Sequence, residues 1–196
     1  MTLSTRFQDA LLYATEAHAA QRRKGTAIPY VSHVLMVAGI VLENGGDEDE
    51  AIAALLHDAV EDQGGEARLA DINARFGARV AAIVLGCSDC TTRPKPPWED
   101  RKRRYLQHVR SAPASDRLVS AADKLANARA ILADYRIDGD SLWVRFNASR
   151  DQILWYYREL VSAFREAGPS PLVDELARVV SDLESLVAQP GSRASQ

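Results

Sequence analysis

The sequence predicts an all-α protein, a helical bundle around a single core. Three observations carry that expectation. Apolar residues recur at i, i+3, i+4 spacing along most of the 196 residues, as in helices that each bury one face. Glycines, prolines and capping side chains interrupt that spacing at the short intervals a bundle's connections need. No segment alternates strongly enough to be read as a strand, and no repeat period is visible.

The elements follow in order. Phe7, Ala10, Leu11, Ala14 and Ala17 mark a first helix from about Ser4 to Gln21. Gly25 to Pro29 breaks it, because Pro29 drives Ile28 out of helical geometry. Ser32 is placed to cap a second helix, with His33 in its first turn and Gly45-Gly46 at its end. Asp47 and Glu50 form an Asp-x-x-Glu capping box for a third helix, expected to run to Asp62 before Gly64-Gly65. Leu69, Ile72 and Phe76 indicate a short helix closed by Gly77, followed by another from Val80 to about Ser88. The prolines between Thr91 and Pro97 demand a loop. A basic helix from Trp98 to Arg110 comes next, then one through Asp123 to about Asp134. Trp143, Phe146, Ile153, Leu154, Tyr157, Val161 and Phe164 form the stripe of a long helix, and Val173 to Val187 that of the last.

With 46% hydrophobic residues the chain can bury one substantial core but is short for two. Residues 1–188 are expected to form one domain and 189–196 a disordered tail. The apolar runs are too short to span a bilayer, and Met1 to Asp9 lacks a signal-peptide pattern, so a cytoplasmic protein without membrane association is expected. Cys87 and Cys90 form a lone C-x-x-C. With no second pair for zinc and no βαβ context for redox chemistry, they read as structural thiols on a helix.

The net charge of −3 argues against a nucleic-acid partner. It conceals two basic clusters, Arg22-Arg23-Lys24 and six cations between Arg93 and Arg104. A solvated face is the ordinary reading of such runs. Two separated clusters also fit a small polyphosphate better than a duplex.

The chemistry concentrates in Ala53-Ala54-Leu55-Leu56-His57-Asp58-Ala59-Val60-Glu61-Asp62. On a helix, His57 pairs with Glu61 and Asp58 with Asp62 at i,i+4. Packing gives no reason for four ionisable groups at the end of an apolar stretch, although an exposed terminal turn would accommodate them. His33 stands at a helix start, and Asp123 and Asn127 lie one turn apart on a mostly apolar helix. Each alone reads as a capping or core residue. Together, His33, His57, Asp58 and Asp123 supply two imidazoles and two carboxylates, a set suited to manganese, iron or another six-coordinate divalent cation.

These residues resemble the HD-domain superfamily, whose pattern is His, then His-Asp, then Asp, and within it the alarmone hydrolases of the stringent response. The resemblance runs from about Ala10 to Arg158. It is carried by Ala17-His18, Arg22-Arg23-Lys24-Gly25, Pro29-Tyr30-Val31-Ser32-His33, Ala54 to Asp62, Phe76-Gly77 and Ala122-Asp123-Lys124-Leu125-Ala126-Asn127. It implies an HD-type bundle around one mononuclear metal site. The implied activity is a manganese-dependent 3′-pyrophosphohydrolase that converts guanosine tetra- or pentaphosphate, or the adenosine analogues, to the 5′-nucleotide and pyrophosphate. His33, His57, Asp58 and Asp123 would hold the one manganese ion, and Glu61 and Asp62 would be the catalytic acidic pair. Arg23, Lys24 and Asn127 would contact the nucleoside and neighbouring phosphates, with Lys95, Arg101 and Lys102 on the 5′-phosphates. The C-terminal end leaves no room for a synthetase domain, which suggests a hydrolase-only member. His33-Val34 stands where the family usually has His-Pro, and Ala128-Arg129-Ala130 departs from the pattern near the nucleoside, which leaves the base preference open. A broader HD phosphatase on NADPH or nucleotides and a non-catalytic nucleotide sensor are the competing readings. The acidic pair speaks against the sensor, which has no use for it.

Overall fold

The computed structural model describes residues 2–89 and 94–189. Ten α-helices make up its frame: α1 (Thr5–Ala17), α2 (Val31–Glu43), α3 (Glu48–Leu56), α4 (Ala59–Gln63), α5 (Gly65–Phe76), α6 (Ala78–Cys87), α7 (Trp98–Ser111), α8 (Ala114–Asp138), α9 (Arg150–Ala167) and α10 (Pro171–Ala188). A 3-10 helix, Gly139–Arg145, links α8 to α9. Among the described residues no strand forms, and extended backbone pairs only in an isolated antiparallel bridge between Arg22 and Pro29. Among the described residues no helix is long and apolar enough to cross a membrane.

Local chemistry sets many of the boundaries. The Ser4 side chain accepts from Arg6 N–H, and Ser170 from Val173 N–H with Pro171 in the first turn of α10. Asp47 and Glu50 form the expected capping box at α3, and Ser149 with Gln152 forms a second at α9. The short helix α3 lies at the centre. Its residues Ala51 to Leu56 are all fully buried, because α3 is packed against α1, α2, α6 and α8 at once. Burial of a leucine such as Leu55 or Leu56 contributes about 1.5–3 kcal/mol. This central helix therefore anchors whatever stands at its C-terminal end.

Four expectations need correction. The first helix ends at Ala17, not Gln21, because the chain turns at His18 into the loop that the Arg22–Pro29 bridge closes. Ser32 is not the cap of α2: Tyr30 holds that position, and the Ser32 hydroxyl donates to Pro29 O. The third helix is interrupted at His57–Asp58, although Asp62 N–H still donates to Asp58 O at 2.9 Å. Trp143 and Phe146 belong to no long helix. Helix α8 runs on to Asp138, Gly139 ends it with φ 57°, and α9 starts afresh at the Ser149 cap. Cys87 is buried at the end of α6, with its Sγ near Ser120 and the Asp116 carbonyl. Cys90, Arg93 and residues 190–196 lie outside the described residues.

Candidate metal centre

Three packed helices bring distant parts of the chain together. His33 comes from the first turn of α2, His57 and Asp58 from the junction of α3 with α4, and Asp123 from the middle of α8. His33, His57 and Asp123 are buried, at 3%, 2% and 6% exposure. Asp58 is half-buried. One donor atom from each of His33, His57 and Asp58 lies within 4.8 Å of the others. Asp58 Oδ2 is 2.9 Å from His57 Nε2 and 3.6 Å from His33 Nε2. Asp123 Oδ1 is not part of that trio but lies 3.1 Å from His33 Nε2 and 3.6 Å from His57 Nε2.

These donors are oriented by their surroundings. His57 Nδ1 faces the Ala54 carbonyl at 2.8 Å, so Nδ1 donates there and Nε2 is turned toward the cluster. The Tyr30 hydroxyl donates to Asp58 Oδ2, and Asn127 Nδ2 donates to Asp123 Oδ1 at 2.6 Å. Lys124 Nζ meets the other Asp123 oxygen at 2.6 Å. Yet the Nε2 atoms of His33 and His57 are buried without a hydrogen bond. Buried polar atoms are normally paired, so two such nitrogens turned toward two carboxylates ask for a cation. Ligands about 2.1 Å from one ion and at right angles stand about 3 Å apart, close to the separations found here. The donor set fits a divalent metal.

The electrostatics agree. Burial alone would lower His57, but the Asp58 and Asp123 carboxylates hold its imidazole well above the usual value. Burial would raise Asp58 and Asp123, yet His57 beside the first and Lys124 beside the second keep both carboxyls well below their ordinary range. The cluster thus concentrates negative charge where a cation would sit.

The acidic pair lies one turn further on, and its two members differ. Glu61 is engaged by Lys95 Nζ at 2.6 Å and by Asp89 N–H at 3.0 Å. Asp62 accepts from Gln21 Nε2 at 2.8 Å. Burial, followed by the Asp58 charge, raises the Asp62 carboxyl above its ordinary value. A raised carboxyl is a better proton acceptor at neutral pH than an ordinary one.

Beside the cluster opens a cleft of about 370 Å³, lined by Arg23, Lys24, Lys102, Lys124, Asn127 and aromatic rings that include Tyr156 and Tyr157. Arg23 reaches Asn127 Oδ1 at 3.0 Å, which links the cleft to Asp123. Lys24 bonds Asn147 at 3.1 Å. Gly25 has φ 73°, and a Cβ there would meet Arg145 Cδ at 2.6 Å, so only glycine lets this basic loop lie against the Arg145 stem. Arg145 itself pairs with Asp134 and Asp138. Arg23, Lys24, Lys102 and Asn127 therefore line one cleft. Lys95 and Arg101 stand elsewhere: Lys95 on Glu61, and Arg101 on Asp89, where Lys102 also bonds at 2.9 Å. Sequence reasoning misses Gln21, Tyr30, Lys124 and Arg145. Only Tyr30 and Lys124 carry a sequence signal, since each lies inside a quoted motif, and neither spacing nor composition marks the other two.

Comparison with known proteins gives a consistent set of likenesses. Residues 10–154 match the family model described as the HD domain. Over 165 residues the chain is 32% identical to the Drosophila melanogaster guanosine-3′,5′-bis(diphosphate) 3′-pyrophosphohydrolase MESH1, covering 83% of this chain and 86% of that one. Its identity to the Xenopus tropicalis protein of the same name is 40% over 124 residues, or 62% of this chain and 66% of that one. A solved structure of a metazoan SpoT ortholog that hydrolyses ppGpp superimposes with a TM-score of 0.76 at 28% identity, covering 92% of this chain and 97% of that one.

Proposed function

The chain belongs to the HD domain family, and from that premise we propose that it is a manganese-dependent 3′-pyrophosphohydrolase of guanosine tetra- and pentaphosphate, with the adenosine analogues as alternative substrates. The observation that carries the reading is the pair of buried, unbonded Nε2 atoms of His33 and His57 facing Asp58 and Asp123. In the proposed reaction, water adds to the phosphorus next to the ribose 3′ oxygen. The P–O3′ bond breaks, the 3′ oxygen takes a proton, and pyrophosphate leaves behind GDP or GTP.

His33, His57, Asp58 and Asp123 would hold one divalent cation, which when bound lowers the pKa of water and polarises the phosphoryl oxygen. Asp62 takes the water proton, supported by its raised carboxyl. Glu61 orients the same water while Lys95 and the Asp89 N–H hold it still. Asn127 contacts the ribose and keeps Asp123 in place. Arg23, Lys24 and Lys102 offset the substrate's phosphate charge, and the aromatic lining of the cleft receives the base. Lys95 and Arg101 act indirectly, through Glu61 and Asp89.

The test is product analysis. Purified protein with manganese is incubated separately with guanosine tetraphosphate, adenosine tetraphosphate and NADPH. The expected products are pyrophosphate and a 5′-diphosphate from at least one tetraphosphate. Orthophosphate from NADPH with both tetraphosphates intact would overturn the reading in favour of a phosphatase.

A further inference from the structure

His18 and Gln21 have no part in the chemistry assigned above, yet the structure connects both to it. At the end of α1 His18 turns inward and is 2% exposed. Its ring lies 5.1 Å from that of Tyr30. Gln21 follows in the turn, pinned by a backbone bond from Tyr30 N–H to its carbonyl at 3.0 Å. The Gln21 side-chain amide joins three groups. Its Nε2 donates to Asp62 Oδ2 at 2.8 Å, and its Oε1 lies 2.6 Å from His18 Nδ1 and accepts from Gln63 Nε2 at 2.7 Å.

Chemistry leaves this amide one orientation. An ionised carboxylate only accepts hydrogen bonds, so the NH2 group must face Asp62. The oxygen then faces His18 and Gln63, and His18 Nδ1 must carry a proton to donate to it. An exposed carboxylate with no fixed donor samples many rotamers. Asp62 instead has one of its oxygens tied to an amide that is itself held from two sides. Its charge is opposed by burial and by Asp58, and Gln21 is the largest influence in the other direction.

We infer that Gln21 is a positioning residue: locked by His18 and Gln63, its amide orients the Asp62 carboxylate toward the reacting water. The inference rests on the reading of Asp62 as proton acceptor. Loss of a hydrogen bond to a charged group is on the order of tenfold or more in rate when that bond acts in the transition state. In manganese-loaded protein with guanosine tetraphosphate, Gln21→Leu should lower kcat about tenfold and leave KM within about twofold. Manganese content and melting temperature should match the wild type. Should the apolar side chain unfold the loop, Gln21→Glu preserves the shape but sets an acceptor against Asp62, and kcat should fall at least as far. A double variant with Asp62→Asn should be no slower than Asp62→Asn alone, because Gln21 acts through that carboxylate. Wild-type kcat in Gln21→Glu, or losses that multiply in the double variant, would overturn the inference while leaving the proposed function standing. Full activity of Asp62→Asn would instead overturn the acceptor role and the inference together.

Discussion

The cluster at the end of α3 and the basic face of α7 both set nitrogen groups against carboxylates, yet their hydrogen bonding differs. Along α7 most cations already have carboxylates. Arg103 bonds Glu99 one turn away, Arg101 and Lys102 converge on Asp89, and Lys95 just before the helix holds Glu61. At the α3 terminus the Nε2 atoms of His33 and His57 are buried 3.1 Å from Asp123 Oδ1 and 2.9 Å from Asp58 Oδ2, respectively, yet neither makes a hydrogen bond. The exposed Arg103–Glu99 pair forms at little cost and for little gain, while Lys95, Arg101 and Lys102 are held by carboxylates from other elements. A buried polar atom without a hydrogen bond costs about 1–3 kcal/mol, so two such atoms turned toward two carboxylates point to a cation between them. Unsatisfied hydrogen bonding, more than charge density, marks the metal centre.

Mutation can break that contrast at its strong end first. His57→Ala and Asp58→Ala should each lose manganese and activity together, by at least about a thousandfold, equivalent to roughly 4 kcal/mol of barrier. Elemental analysis beside turnover checks this, and a variant that keeps both metal and rate would remove the cluster from the mechanism. Glu61→Gln should retain manganese and lower kcat by at least about tenfold, the loss expected when a charge that orients the water is removed. A Glu61→Gln protein without metal would make Glu61 a ligand instead.

The basic residues should respond less, and unequally. Arg23→Ala is expected to raise KM about ten- to a hundredfold with kcat nearly unchanged, since a charge-assisted phosphate contact is worth about 1.5–3 kcal/mol. Steady-state kinetics at two salt concentrations measures this, and an unchanged KM at low salt would leave Arg23 as surface charge. Arg101→Ala should have the smallest effect, within about threefold in KM, because Asp89 already holds its guanidinium. A larger rise would mean that substrate draws Arg101 away from Asp89.

Some of the site is legible in the chain because its causes are local. Asp47 and Glu50 meet across one turn, so their capping box follows from spacing. His57, Asp58, Glu61 and Asp62 end an apolar segment, and α3 has to deliver them together wherever it packs. The break at His57–Asp58 was less legible, since the backbone stays near helical values and only the hydrogen-bond pattern lapses. The 3-10 segment escaped for a related reason: Trp143 and Phe146 continue the apolar period of α9 while the Ser149 cap starts that helix later. Periodicity records which face is buried but says nothing of where the backbone turns.

The amino-acid sequence by itself determined an all-helical chain, its principal caps and stops, and the His-Asp and Glu-Asp pairs that neighbouring residues deliver. Only the tertiary structure decided that His33 and Asp123 meet across 90 positions, that Lys95 sits on Glu61, and that Gln21 reaches Asp62. It likewise decided that Arg23 and Asn127 share a cleft. The physical reason lies in range. Capping and amphipathic spacing act within a few residues, whereas these contacts need distant elements to pack, as α2 and α8 do on each other and on α3, whose Ala51 to Leu56 are buried.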